Sequence, residues 1–308
     1  MTSREKELAG LSPGTDLPHR LPVLLERFVE PFRRGAAPDP RQATGFYTDT
    51  TVCIGCKACE VACKQWNQLP ADGFAWSGNS YDNTGELSAT SWRHVKFIEQ
   101  LPDKGVPVLP GPDSDGFDPA RWLMMSDVCK HCVAAPCQQA CPTGALIHNE
   151  FDNVYIQPDI CNGCAYCIAA CPFGVITRST IDGHAHKCTL CFDRQRDGLV
   201  PACAKACPTE SIQFGPIDEL RERARRRVEQ LHQRGVSDAY LYGDVPGPSY
   251  SALNSFYLLL DRPSVYGLPE APVNPWLTMK GDYLRAVLGL LPPIAALLAA
   301  LVLAGALR

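Results

Sequence analysis

The stretch CIGCKACEVAC, residues 53–63, sets cysteines at positions 53, 56, 59 and 63. CNGCAYCIAAC, residues 161–171, repeats the spacing at 161, 164, 167 and 171. Working outward, two further groups appear: Cys129, Cys132, Cys137 and Cys141, then Cys188, Cys191, Cys203 and Cys207. Four groups of four account for all sixteen cysteines of a 308-residue chain. Disulfide frameworks belong mostly to short secreted chains with little core. Structural zinc takes four ligands, commonly as two C-x-x-C pairs. Neither explains a third cysteine at +6, a fourth at +10 and then a proline.

The run C-x2-C-x2-C-x3-C-P is that of bacterial ferredoxins, in which a loop with a ligand at every third residue wraps a cubane and turns backbone N–H groups toward its sulfurs. The third group fits in full, with Pro172. The second and fourth have longer internal gaps but keep C-x3-C-P, with Pro142 and Pro208. The first has Lys64 where the proline stands elsewhere. The pattern predicts four 4Fe–4S clusters.

In two-cluster ferredoxins the fourth cysteine of a run ligates the other cluster, so the runs must be paired. After Cys141, ALIH and VYIQ flank a turn-rich EFDN, which predicts a hairpin carrying the chain from the second run to the third. PTESIQFG after Cys207 resembles PTGALIHN after Cys141, and GFYTDTTVCIGC resembles NVYIQPDICNGC. The strand after the fourth run is therefore expected to pair with the strand before the first, an internal repeat with one copy split by the other. A rival joins the third run to the fourth through the hairpin-like GVITRSTIDGHAHKC and leaves the first and second to pair across residues 64–128. The quoted similarity favours the split repeat. On that pairing one cluster takes Cys53, Cys56, Cys59 and Cys207, and a second takes Cys63, Cys188, Cys191 and Cys203. A third takes Cys129, Cys132, Cys137 and Cys171, and the fourth takes Cys141, Cys161, Cys164 and Cys167.

A net charge of −4 and a pI near 6.0 argue against general nucleic-acid binding. No nucleophile–base constellation stands out, so no catalytic residue is expected. Lys57, Lys64, Lys130, Lys187 and Lys205 sit beside ligating cysteines, where a cation would favour the more negative reduced cluster, although surface or ion-paired lysines are the commoner case. His131, His184 and His186 read as surface or hydrogen-bonding residues, because cysteines already fill the ligand count. Trp66, Trp76, Trp92 and Trp122 read as packing residues.

Met1–Gly35 has no continuous apolar core of a secretory signal, and Arg33-Arg34 is followed by a polar, Pro-rich stretch. AVLGLLPPIAALLAALVLAGAL, residues 286–307, contains no polar side chain and is long enough for about 30 Å of hydrocarbon. It predicts one C-terminal membrane helix, kinked or delayed by Pro292-Pro293. The expected architecture is α+β: two bacterial-ferredoxin-like dicluster modules plus one C-terminal transmembrane helix. The expected boundaries are an extension over 1–44, a split first module over 45–128 and 186–215, and a second module over 129–185. A charged helix and extended linker follow over 216–280, then the anchor over 281–308.

TTVCIGCKACEVACKQWN, YDNTGELSATSW and LLLDRPSVYGLP, together with the four cysteine groups, resemble the iron–sulfur (beta) subunits of molybdenum or tungsten oxidoreductases, in particular membrane-bound formate dehydrogenases of the N type. The resemblance covers about residues 45–307. The nitrate reductase branch has a tryptophan where this chain has Cys164. The resemblance implies a heterotrimer able to assemble further: a Mo/W-pterin catalytic subunit that oxidises formate, this electron-transfer chain, and a cytochrome b membrane subunit that passes electrons to quinone. It implies the same cluster pairing, with the Cys53 cluster nearest the catalytic subunit and the Cys161 cluster nearest the membrane. The equivalent subunit of a sulfoxide or polysulfide reductase, or of a hydrogenase, is the alternative. Lys280 and Arg285 precede the apolar tail and only Arg308 follows, which favours a cytoplasmic body, whereas relatives sit outside; the side stays open.

Overall fold

The computed structural model describes residues 43–73, 78, 81–100, 121–275, 288–294 and 296. In sequence order the described elements are β1 (Thr44–Asp49), α1 (Ala58–Trp66), β2 (Arg93–Gln100), β3 (Arg121–Val128), α2 (Pro136–Gln139), β4 (Leu146–His148), β5 (Val154–Ile156) and α3 (Tyr166–Ala170). There follow β6 (Thr177–Arg178), β7 (Ala185–His186), α4 (Phe192–Arg196), α5 (Ala202–Lys205), β8 (Ile212–Pro216), α6 (Ile217–Gln233), β9 (Tyr240–Tyr242) and β10 (Ser255–Leu259).

The first and third cysteine runs fold alike. A 3-10 turn leads into each, and Cys53 (φ −72°, ψ 124°) and Cys161 (φ −70°, ψ 124°) share one backbone conformation. Gly55 and Gly163 are both left-handed, as are Lys57 (φ 58°) and Ala165 (φ 67°), so the backbone curls instead of extending. The helices then differ: α1 has nine residues and α3 five. Proline disfavours helical angles at the residue before it. Cys171, before Pro172, is accordingly extended (φ −81°, ψ 112°). Lys64 imposes no such stop, and α1 runs on to Trp66. The second and fourth runs match too: α2 and α5 each have four residues and end on Ala140 (φ −84°, ψ −8°) and Ala206 (φ −85°, ψ −7°).

β4 and β5 form the hairpin between the second and third runs, Leu146 opposite Ile156. β6 and β7 pair as well, Thr177 opposite His186. β8 pairs antiparallel with β1, Phe46 opposite Phe214, without a connecting turn. β1 also pairs in parallel with β10, and β10 pairs antiparallel with β9, giving the order β8-β1-β10-β9. All five residues of β10 are buried, so this part of 216–280 lies inside the sheet. Gly45 permits the close approach: a Cβ there would lie 1.8 Å from the Asn254 carbonyl oxygen. α6 puts Ile217, Leu220, Ala224 and Leu231 into a core with Tyr47, Phe256 and Leu258 and turns Arg223, Arg225 and Arg226 outward, while Arg227 reaches the buried Asp49 carboxylate (2.9 Å). β2 and β3 form a separate eight-pair hairpin inside the insertion between the first and second runs.

Most of the extension over 1–44, Trp76 and most of the apolar tail lie outside the described residues. Residues 288–294 and 296 are helical. Among the described residues no helix is long and apolar enough to cross a membrane.

Candidate metal centres

None of the sixteen cysteines is in a disulfide, and most belong to one apolar core with Phe46, Val95, Leu146, Val154 and Ile212. Cys56 and Cys164, at matching places in their runs, are exposed. Cys53, Cys56, Cys59 and Cys207 line one cavity with Val95, Ser126, Ser211 and Ile212. The Cys53 thiol is pushed up by burial and then by its neighbours Cys207 and Cys56, against hydrogen bonds from Gly55 and Ser211. Cys63, one turn further along the same face of α1 as Cys59, has other partners: burial raises its pKa well above the ordinary thiol value, and Cys188, Cys203 and Cys191 raise it further. Burial puts Cys188 and Cys191 at about 12.

In the other half, burial and then Cys129, Cys137 and Cys171 raise the Cys132 thiol. Cys167 is pushed to about 11 by burial and then by Cys161, Cys141 and Cys164. Cys141 is the exception: burial opposes, but hydrogen bonds with Thr143 and the N–H groups of Leu146, Thr143 and Ala145 bring it below the ordinary value. Four thiolates side by side repel one another and resist desolvation, so such a set needs a compensating metal body. Among the described residues no three His, Cys, Asp or Glu side chains converge closely enough for a single ion. Sulfur-only donors of this spacing, with backbone N–H groups turned toward them, fit a cubane better than one ion.

The lysines beside the cysteines divide. Lys57 pairs with Asp82 (3.3 Å) and Glu60 (3.7 Å), and Lys64 with Asp72 (2.5 Å). Lys205 is exposed. Lys130 is fully buried and ion-paired to Asp127. Lys187 is also buried, and it donates to the carbonyls of Val154 and Cys188 (3.0 Å), not to a carboxylate. It lowers the Cys137 thiol, which burial drives to about 12.

His186 meets the expectation of a hydrogen-bonding histidine, its Nε2 2.7 Å from Asp182. His131 does not: it is wholly buried, neither ring nitrogen has a hydrogen-bond partner among the described residues, and burial lowers its pKa, which keeps it neutral. Trp66 and Trp122 are partly exposed and not core residues; Trp66 donates to Asp193 (2.8 Å) under the Arg194 guanidinium (4.2 Å). YDNTGELSATSW folds against the first run, with Asp82 accepting from Gly85 N–H (3.0 Å) and standing 3.1 Å from His94.

Sequence reasoning overlooked Arg93. Its side chain is buried beside the first and fourth runs and donates to Ser126 Oγ (3.0 Å), which lies 3.3 Å from Cys59 Sγ. The alternation of WRHVKF gives no hint, because β2 is buried on both faces over residues 93–95.

The fold and these thiol sets define a ferredoxin-like protein of the 4Fe–4S dicluster class. The family model described as a 4Fe-4S dicluster domain matches over 120–217, and a second model of the same description matches over 52–145. An iron–sulfur subunit of formate dehydrogenase from Haemophilus influenzae is 38% identical over 78% of this chain and 73% of its own length. The formate dehydrogenase-O iron–sulfur subunit of Escherichia coli is 40% identical over 73% and 70%. A component polypeptide of the anaerobic dimethyl sulfoxide reductase of Escherichia coli is 35% identical over 58% and 76%. The protein belongs to the family of formate dehydrogenase iron–sulfur subunits. It is an electron-transfer subunit carrying four 4Fe–4S clusters.

Proposed function

We propose that this protein relays electrons inside a formate dehydrogenase complex, from a Mo- or W-pterin catalytic subunit toward a membrane cytochrome b subunit and quinone. The observation that carries the reading is the crossing of the outer runs: Cys63 faces Cys188, Cys191 and Cys203, while Cys207 shares a cavity with Cys53, Cys56 and Cys59. Such a crossing places two cubanes side by side, and a second crossing between Cys171 and Cys141 adds two more. The clusters are then held by Cys53, Cys56, Cys59 and Cys207; by Cys63, Cys188, Cys191 and Cys203; by Cys129, Cys132, Cys137 and Cys171; and by Cys141, Cys161, Cys164 and Cys167. The split first module follows from the same crossing.

A 4Fe–4S cluster bound by each cysteine set would supply one-electron storage. The protein's own residues hold the sulfurs, exclude water and set the local charge. Exposed Cys56 and Cys164 mark the two ends, the first toward the catalytic subunit and the second toward the membrane. The apolar tail is the anchor: Leu288, Leu290, Leu291 and Ile294 are helical and at least half exposed, which suits lipid or a membrane subunit. Membership of a dimethyl sulfoxide reductase-type complex is the second reading, supported by the 35% identity above, but that match covers less of the sequence.

The test is the anaerobically purified membrane complex. About sixteen iron atoms per polypeptide, a Mo or W partner, haem, and clusters reduced by formate support the reading. Clusters that formate leaves oxidised, but that dimethyl sulfoxide reoxidises once reduced, favour the second reading. Zinc without labile sulfide contradicts both.

A further inference from the structure

A buried cation needs a counter-charge, because desolvating it alone is costly. Arg93 is 2% exposed, yet none of the charges that act on it most strongly is a carboxylate. They are the thiols of Cys203, Cys59 and Cys188, with the Tyr257 phenol after them. Arg93 acts in turn on Cys59 of one set and on Cys63 and Cys188 of the next. Its guanidinium lies 4.7 Å over the Phe46 ring, and one nitrogen is anchored to Ser126. Nε and Nη2 have no hydrogen-bond partner among the described residues, although both are buried. A planar guanidinium with two donors free among sulfurs is built to face a body of negative charge.

We propose that Arg93 is an electrostatic tuning residue of the relay, its positive charge holding the two clusters of the split module at more positive potentials than they would have without it. The proposal rests on the cluster assignment given above. Each reduction adds one electron to a cluster and takes up no proton at Arg93, whose guanidinium stays charged throughout. A fixed cation therefore stabilises the reduced state, which carries one more negative charge than the oxidised state. The other buried cations are placed differently. Lys130 shares Asp127 with Lys96, Arg194 donates to the Val200 carbonyl and acts on Cys191 of one set, and Lys187 acts on Cys137 of the second module.

The test is redox titration of the purified complex followed by EPR, comparing wild type with Arg93→Gln and Arg93→Lys. Iron content and the number of reduced cluster signals check the assignment first; fewer than four clusters in wild type sinks the assignment and not the tuning role. With four clusters present, Arg93→Gln is expected to make two of them at least tenfold harder to reduce, about 59 mV for a one-electron couple, and to shift the other two much less. Arg93→Lys, which keeps the charge, is expected to stay near wild type. Four unmoved potentials, or an equal shift of all four, overturn the proposal. If Arg93→Gln loses iron, Arg93→Lys decides: retained clusters at near wild-type potentials support a charge role, and the same loss of iron overturns it.

Discussion

Gln195 offers a quantitative handle on how the scaffold holds the second cluster. Its side chain is buried where three pieces of the fold meet. Nε2 donates to Asn153 Oδ1 (2.8 Å), in the turn between the second and third runs, and to the Leu190 carbonyl (2.6 Å), inside the fourth run. Oε1 accepts from Thr44 Oγ1 (2.7 Å), at the start of β1 before the first run. Leu190 (φ 55°) and Cys191 (φ 49°) are both left-handed, and neither is glycine. Such angles cost roughly 1–2 kcal/mol per residue and persist only where neighbours enforce them. Gln195→Ala removes three hydrogen bonds worth about 1 kcal/mol each and strands buried acceptors. The opening of the Cys188–Cys191 loop should thus become easier by about 3 kcal/mol, roughly a hundredfold in rate. The assay is the rate of iron release on mild heating, with EPR to show which signal disappears first. The cluster expected to go first is the one proposed above for Cys63, Cys188, Cys191 and Cys203. An unchanged rate, or four clusters leaving together, would refute the reasoning.

Lys130→Met should destabilise the complex by about 3 kcal/mol, the low end for a broken buried pair, because Lys96 still stands 3.0 Å from Asp127. Adding Asp127→Asn should recover part of the loss in a thermal melt. Gly45→Ala should prevent the parallel pairing of β1 with β10, since the new methyl meets a backbone oxygen that already accepts from Phe46 N–H (2.8 Å); its measure is poor recovery of assembled complex, while Gly215→Ala, which meets only Leu220 Cδ2 at 4.0 Å, should be tolerated. Asp261 is held below the usual carboxylate range, chiefly by the Gln100 hydrogen bond and against slight burial. A depressed folded pKa gives stability that is present above the unfolded value and lost as pH falls through the folded one. Being only partly buried, the group should contribute well under 1 kcal/mol, so the small melting difference between wild type and Asp261→Asn should hold to about pH 5 and shrink below pH 4.

The cysteine runs were legible because cluster ligation fixes spacing locally, and the matching angles of the first and third runs follow from that same local pattern. The β4–β5 hairpin was legible from EFDN, and α6 as a charged helix after the fourth cysteine run. The pairing of β1 with β8 could be read only through likeness to an unbroken copy, since no turn joins them. The parallel pairing of β1 with β10 was not legible: SFYLLL is apolar on both faces, which gives a strand but no neighbour. Arg93 was missed because a charged residue in a strand reads as facing solvent, and only the tertiary fold reveals a core whose counter-charge is sulfur. His131 was misjudged for the same reason: its burial comes from elements remote in sequence, β10 among them, with the Asn254 and Ser255 N–H groups bonding to His131 and Lys130 carbonyls. The two dicluster matches overlap over 120–145 and follow sequence neighbours. A nested module, whose two runs lie more than a hundred residues apart, is not expected to show itself in that way.

The central claim is that CIGCKACEVAC serves two clusters. The direct measurement is EPR of the reduced complex carrying Cys63→Ser, set beside Cys207→Ser. Cys63→Ser should remove or convert the cluster held with Cys188, Cys191 and Cys203 and leave the Cys53, Cys56 and Cys59 cluster intact. Cys207→Ser should do the opposite. Loss of the same cluster in both variants, or the reverse assignment, would contradict the account.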